Sequence, residues 1–259
     1  MIRGYSIFKV FMGSFFIQGS WSFEKMQSLG FASAVSPGLK DISGGDPQAL
    51  SSLQRRHMAF YNAHPYMASP VLGAALNLEE LSSRGALGED AASRFKKKVM
   101  APYGAVGDGF FWGSLRPMAS CAGAATALIW GMWGPLVFLV IYNIFHLWMR
   151  WNGLKMGLEL GEGVAGYIKS LNLTEWGIRA KYSALAFTGA ITALTAARTF
   201  SYAPLTEAAR SRASWLAVLS ALFILCVILL NEFFKRGIRV ERLIYLFIPP
   251  LILYAVISF

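Results

Sequence analysis

The feature that most constrains this chain is a long apolar window, residues 117–149, which contains no Asp, Glu, Lys or Arg. A helix that crosses the hydrocarbon core of a bilayer needs about 20 residues, so the window is too long for one such helix. Gly131, Gly134 and Pro135 interrupt it near its middle. We therefore predict two short spans or a re-entrant hairpin, because glycine and proline break regular helices.

The amino-acid composition also indicates a membrane protein. Of the 259 residues, 55% are hydrophobic and only 15% are charged, whereas soluble domains carry about 25% charged residues. The formal net charge is +10, but the bases gather at the ends of apolar windows, as at Lys96–Lys98 and at 235–242. That distribution is typical of membrane topology signals. It disfavours nucleic-acid binding, which needs a basic face on a soluble fold.

Three further apolar windows follow, at residues 182–197, 213–231 and 243–259. The windows are continuous and do not alternate with polar residues, so the sequence predicts helices and not barrel strands. The bases between the last two windows predict a cytoplasmic loop there, which leaves the C-terminus outside.

The first hundred residues are more polar and carry recurring charges. Asp46 and Pro47 predict a helix start with proline in the first turn, and Pro65 predicts the end or a kink of that helix. We predict an all-α membrane protein with several transmembrane and re-entrant helices. Its three regions are an amphipathic, membrane-associated one with a cytoplasmic loop (1–100), a re-entrant and transmembrane core (101–170) and C-terminal transmembrane helices (171–259).

The stretch GDGFFWGSLRPM, residues 107–118, places Asp108, Trp112 and Arg116 directly before the long apolar window. On one helix the acid and the base lie about 12 Å apart, so each needs its own partner or the segment folds back at its glycines. An ionisable residue at membrane depth suggests a functional site, and an aromatic ring beside a carboxylate suits the C–H face and hydroxyls of a sugar. An aromatic interface belt with a structural acid and base is the alternative.

A second pattern is the four-residue spacing of Gly153, Gly157 and Gly161. On a helix these glycines share one face and allow another helix to approach closely. The spacing predicts helix packing within the chain or packing against another subunit.

Five segments, in order and at close spacing, resemble the enzyme IID component of the mannose/fructose/sorbose class of the bacterial phosphotransferase system. The resemblance covers the chain from residue 17 to 166. The signature-like segment is PYGAVGDGFFWGSLRP, residues 102–117. The other four are IQGSWSFEKMQSLGF (17–31), RRHMAFYNAHPY (55–66), SPVLGAALNLEE (69–80) and GPLVFLVIYNIFHLWMRWNGLKMGLELG (134–161).

The resemblance implies a non-catalytic, cofactor-free subunit of a sugar permease in the bacterial cytoplasmic (inner) membrane. Such a subunit pairs with a membrane IIC subunit in a hetero-oligomer within the lipid bilayer, while soluble IIA and IIB proteins relay phosphate to a hexose-type sugar. The expected cavity or interface residues are Asp108, Trp112, Arg116, Asn143, Asn62 and His64. The sugar contacts can also lie largely on IIC.

One departure from the family pattern leaves an alternative open. The family usually reads Gly-Pro-Leu-Ala-Gly before Gly-Asp, whereas residues 101–105 here are APYGA. A non-transporting membrane scaffold or regulator that retains the IID fold is therefore the second hypothesis. A stand-alone enzyme is disfavoured, because no nucleophile–base spacing appears and the three histidines are too scattered to predict a metal site.

Overall fold

The computed structural model describes residues 2–202, apart from the side chains of residues 193 and 196–202, and this part of the chain is helical between short connections. One π-helix, Asp108–Leu115, and two 3₁₀ turns, Ser14–Phe16 and Gly161–Gly163, separate α-helices. The α-helices are α1 (Gly4–Gly13), α2 (Ser28–Ile42), α3 (Pro47–His57), α4 (Ala68–Ser83), α5 (Ala91–Gly107), α6 (Arg116–Trp130), α7 (Trp133–Leu160), α8 (Val164–Ser170) and α9 (Leu173–Tyr202). The predicted all-α class is confirmed.

Helices α4 and α7 cross at backbone contact in the compact unit Met1–Thr195. A Cβ atom on Gly157 would lie 2.7 Å from the Ala74 nitrogen and closer still to the Pro70 carbonyl oxygen, and a Cβ on Gly153 would lie 2.7 Å from the Pro70 ring. The glycine series therefore packs α7 against α4 of the same chain. Its third member, Gly161, instead ends α7 with a φ of +55°, a backbone conformation that favours glycine.

The core lies around this crossing and extends to α2. Small residues let α2 lie close to the turn after α1, since the place of a Cβ on Gly30 is filled by the backbone of Ile17. The largest fully buried side chains include Tyr61, Phe31, Phe111, Ile17, Leu39, Met67, Leu72 and Leu76. Buried aromatic and aliphatic side chains are the main source of stability in such a core.

The start of α3 agrees with the sequence prediction. Asp46 is its N-cap, Pro47 is its first residue, and the Asp46 carboxylate accepts a hydrogen bond from the Gln48 N–H at 2.9 Å. The predicted end at Pro65 is wrong, because α3 ends at His57.

The early end of α3 has a physical cause in a distant residue. The backbone N–H of the buried Gln27 donates to the Tyr61 carbonyl at 2.8 Å. Its side-chain amide donates to the Ala63 carbonyl at 2.8 Å and accepts from the Ala63 N–H at 3.3 Å. These bonds satisfy the backbone of a non-helical segment, 58–64, that a helix would otherwise satisfy internally.

The fold-back considered for the GDGFFWGSLRPM segment is also wrong. The chain continues as helix from α5 through the π-helix into α6, without a reversal. Gly107 serves close approach instead: a Cβ on Gly107 would lie 2.6 Å from Cγ of His64.

The apolar window 117–149 forms a helical hairpin of α6 and α7, as the interrupting glycines predict. Gly131 ends α6 with a φ of +56°. Beyond the turn, a Cβ on Gly134 would lie 2.5 Å from the Gly123 carbonyl oxygen, so the two helices touch through their backbones.

Among the helices of residues 2–202, none reaches both the length and the mean hydropathy of a membrane-crossing segment. The windows 213–231 and 243–259 and the bases between them lie outside the described residues. The region limits at 100 and 170 stay predictions.

Candidate functional site

The site is organised by the π-helix Asp108–Leu115, in which hydrogen bonds span five residues instead of four. The backbone N–H of Arg116 donates to the Phe111 carbonyl, five residues earlier. The Ser114 hydroxyl donates to the Gly109 carbonyl at 2.7 Å, also five residues earlier. The wider turn buries both Phe110 and Phe111 although they are adjacent in sequence. Such segments often mark functional sites.

One exposed stripe on this segment contains three of the predicted site residues. Asp108, Trp112 and Arg116 follow one another at four-residue intervals and are all exposed, so they lie on a common face. Trp112 is 43% exposed. Within the described residues, the Asp108 carboxylate and the Arg116 guanidinium form neither a hydrogen bond nor an ion pair, with each other or with any other side chain. The acid is therefore available to a hydroxyl donor from outside.

Beside the stripe lies a group of aromatic rings in contact with one another, which we call the aromatic column. Its members are Phe15, His64, Tyr66, Phe111, Tyr142 and His146. His64 stacks on Phe111 with ring centroids 5.1 Å apart, and its edge meets Trp112 at 4.7 Å. Tyr66 stacks on His146 at 4.6 Å, and its hydroxyl lies 3.1 Å from that of Tyr142. The column thus connects the exposed stripe with the buried face of α7.

His64 carries a donor that the described part of the chain leaves unpaired. Its Nδ1 accepts the Tyr66 backbone N–H at 3.3 Å, so the ring proton lies on Nε2. That atom is buried and has no hydrogen-bond partner among the described residues. Because an unpaired buried donor is unfavourable, this N–H is suited to an acceptor from a ligand or a water molecule.

A buried cation closes the inner end of the aromatic column. Arg150 is 4% exposed, and its guanidinium carbon lies 4.7 Å from the Phe15 ring centroid and 4.9 Å from that of Tyr66. It donates to the carbonyl oxygen of Ser14 and, at 3.0 Å, to the Ser14 hydroxyl. The charge is stabilised by ring faces and oxygen dipoles, and it fastens the end of α1 to α7.

The other two predicted site residues have different surroundings. Asn143 lies on α7 next to the aromatic column. Its Oδ1 accepts a hydrogen bond from His146 Nε2 at 2.7 Å, and its amide donates to the Leu139 carbonyl at 2.7 Å. Asn62 is exposed and outside the aromatic column, and its backbone N–H contacts the Met100 sulfur at 3.1 Å.

Sequence reasoning missed a second polar cluster, centred on Glu79. Glu79 lies near the end of α4, where a charged side chain usually faces solvent, but it is fully buried. Its carboxylate accepts from Arg56 at 2.9 Å and from His57 Nε2 at 3.1 Å. The Lys96 ammonium donates to the His57 carbonyl at 3.2 Å and lies 4.4 Å from the Phe31 ring centroid.

Burial dominates the electrostatics of this second cluster, which lies outside the predicted spans. It lowers the pKa of the His57 imidazole below its usual value, and the hydrogen bond to Glu79 only partly opposes that effect. Burial also lowers the pKa of the Lys96 ammonium to about 8, although the Glu79 charge acts in the opposite direction. The sequence signal for this cluster is the basic triplet Arg55, Arg56 and His57 at the end of α3. The acid that Arg56 and His57 contact, Glu79, lies on α4, and the sequence does not show that pairing.

Within the described residues, no group of three His, Cys, Asp or Glu side chains could hold a metal ion. The stripe and the aromatic column instead offer an acceptor, an aromatic face and a buried donor, which are the elements of a hydroxyl-binding surface.

Known proteins resemble this chain along most of its length. It matches the family described as PTS system mannose/fructose/sorbose family IID component over residues 2–247. The mannose-specific EIID component of Escherichia coli (strain K12) is 38% identical over 153 residues, which are 59% of this chain and 54% of that protein. The fructose permease IID component of Bacillus subtilis (strain 168) is 33% identical over 165 residues, 62% of this chain and 60% of that protein. The chain spans about half the length of the curated relatives it matches.

A solved structure extends the likeness to the three-dimensional fold. A chain in the cryo-EM structure of the mannose transporter ManYZ with microcin E492 (MceA) superposes with a TM-score of 0.60 at 26% sequence identity. The superposition covers 92% of this chain and 96% of that chain.

Proposed function

The chain belongs to the IID component family of the mannose/fructose/sorbose phosphotransferase systems, and from that premise we propose that it is the IID subunit of a sugar permease. The observation that carries the proposal is the family match over residues 2–247, which includes the π-helix, the exposed stripe and the aromatic column. The subunit has no catalytic role of its own and contributes to the path of the sugar across the membrane.

The exposed stripe and the aromatic column supply the proposed sugar contacts. The Trp112 ring stacks on the apolar C–H face of the sugar, and Asp108 accepts hydrogen bonds from its hydroxyls. The unpaired Nε2–H of His64, next to Trp112, donates to a sugar oxygen. Arg116 leaves the exposed stripe without a net charge, and Asn143 holds His146 in place. Asn62 lies outside this arrangement and is assigned to an interface.

The proposal includes the other components of the system. A membrane IIC subunit completes the translocation unit, as a hetero-oligomer in the cytoplasmic (inner) membrane, and IIA and IIB proteins deliver phosphate to an incoming hexose-type sugar. The likeness to a chain of the mannose transporter ManYZ supports a partnered, multi-pass membrane protein. Purification of the full chain from native membranes, followed by mass spectrometry, should recover a IIC-like partner. A chain that purifies alone would favour the non-transporting scaffold.

The decisive test is sugar uptake by cells that produce this chain with the IIA, IIB and IIC proteins of the same genome. We expect Asp108→Asn to lower uptake of radiolabelled mannose-class sugars roughly hundredfold, because it removes the charged acceptor for hydroxyls. Immunoblots of membranes should show unchanged amounts of the protein. Asp90→Asn, the same change at an exposed turn, is the matched control and should retain uptake. Normal uptake by Asp108→Asn would refute the assignment of this site.

A further inference from the structure

Away from the exposed stripe, two grooves adjoin on the face formed by α2 and the end of α3. Their volumes are about 700 and about 480 Å³, and Met58 lines both. Because Met58 borders both, we treat them as one surface, which we call the basic groove. No member of the exposed stripe or of the aromatic column lines it.

The charge of the basic groove is strongly one-sided. The described residues that line it include one acid, Glu24. They also include five bases, Lys9, Lys25, Lys40, Arg55 and Arg56. A concave surface with a charge of one sign raises the local concentration of the opposite charge.

Two of the three bases that line the larger groove are uncommitted within the described part of the chain. Arg56 is already held by Glu79 and Glu89, at 2.9 and 2.7 Å. The side chains of Lys25 and Arg55, by contrast, are exposed and form no hydrogen bond or ion pair with another described residue. Their charges are therefore available to an external anion.

Apolar side chains lie between the bases. Leu29 is 50% exposed, Met58 41% and Phe60 47%. Exposed apolar groups that are surrounded by charges mark interaction surfaces, and methionine adapts readily to the shape of a partner. The basic groove therefore offers both charge and apolar area to one occupant.

We infer that the basic groove binds an acidic, amphipathic segment of a partner protein. Carboxylates on one face of such a segment meet Lys25 and Arg55, while its apolar face contacts Leu29, Met58 and Phe60, as in other helix-in-groove complexes. The concave shape favours a peptide over a membrane surface, because a bilayer is flat on this scale and cannot enter two adjoining grooves. Charge complementarity at such a surface mainly sets specificity and the association rate.

The test uses the full chain in nanodiscs of neutral phosphatidylcholine and a fluorescein-labelled helical peptide. Glutamates occupy one face of this peptide and leucines the opposite face. Fluorescence anisotropy measures its affinity at low and at physiological salt. We expect binding that weakens with salt and that falls about tenfold in the Lys25→Glu/Arg55→Glu variant. The neutral variant Lys25→Gln/Arg55→Gln should lie between the two. A peptide with glutamine in place of glutamate should bind weakly to all forms.

The matched control is Lys155→Glu/Lys169→Glu, which makes the same charge change at exposed positions away from the basic groove. It should bind the peptide about as well as the wild type. An equal loss of peptide affinity in the two charge-reversal variants, or no loss in either, would overturn the inference. Capture of phosphatidylserine-containing vesicles without peptide binding would also overturn it, since the occupant would then be a lipid surface.

Discussion

The glycine crossing of α4 and α7 allows a quantitative test of the fold, through the single substitution Gly157→Ala. The added methyl would lie 2.7 Å from the Ala74 nitrogen and closer still to the Pro70 carbonyl oxygen, whereas ordinary contacts begin at 3.4 Å. The obstacle is helix backbone, which cannot rotate away as a side chain can. The two helices must therefore separate by about 0.7 Å or more, and the side chains packed around the crossing lose contact.

Overpacking of this kind costs up to about 3 kcal/mol, and the higher helix propensity of alanine returns about 1 kcal/mol. We expect a net loss of roughly 2 kcal/mol in the free energy of unfolding, which corresponds to a melting temperature about 4–8 °C lower. Thermal unfolding of the full chain in detergent, followed by far-ultraviolet circular dichroism, measures this change. Gly166→Ala on α8 is the matched control. Its methyl would meet nothing within 4 Å, so it should raise the melting temperature by about 1–3 °C.

Gly73→Ala places a methyl at the same crossing from the other helix and should have a similar effect. The double variant should lose less than the sum of the two, because the first methyl already separates the helices. A melting temperature for Gly157→Ala equal to that of Gly166→Ala would refute the close crossing.

Two further predictions concern pH, with full chain unfolding as the readout. The pKa of Lys96 is lowered to about 8 from an ordinary 10.5, so between these values the unfolded chain binds more protons and stability rises with pH. We expect this gain in the free energy of unfolding, roughly 3 kcal/mol, to disappear in Lys96→Met and to persist in the exposed Lys97→Met. The same dependence of stability on pH in both variants would contradict the prediction. Burial tends to raise the pKa of Asp41, but hydrogen bonds from Arg3 and Ser6 lower it to about 2. The stability from this contact is present above about pH 4 and is lost as the pH falls through 2. Asp41→Asn should therefore lower the melting temperature by about 2 °C at pH 6 and by much less at pH 2. An unchanged melting temperature at pH 6 would show that the ion pair with the exposed Arg3 contributes nothing.

The sequence predicts those elements whose causes lie in neighbouring residues. Asp46 and Pro47 mark the start of α3 because capping is a contact between residues two positions apart. Gly131 marks the turn between α6 and α7 because its positive φ is a property of one residue. The spacing of Gly153 and Gly157 likewise indicates a face for close packing, although only the structure identifies α4 as the partner.

The features that the sequence does not predict depend on distant partners. The end of α3 is set by Gln27, which is 36 residues before Ala63 in the chain. Glu79 resembles a solvated helix end until Arg56 and His57 are placed against it. In the candidate site, the Asp108–Trp112–Arg116 spacing predicts a shared face only once the segment is known to be helical. The aromatic column joins parts of the chain as distant as Phe15 and His146, and the hydrogen bond from Arg150 to Ser14 beside it spans 136 residues.

The π-helix also sets the rotational phase between two packing faces of one continuous helix. On its N-terminal side Gly107 must point at His64, and on its C-terminal side Gly123 must point at the backbone of Gly134. In an α-helix each residue advances about 100° around the axis, and in the wider π-helical turns each residue advances less. Regular α-helix over the same number of residues would therefore turn α6 relative to α5. The widened turns act as a spacer in angle and not in length, which lets one helix satisfy two partners whose positions are otherwise independent.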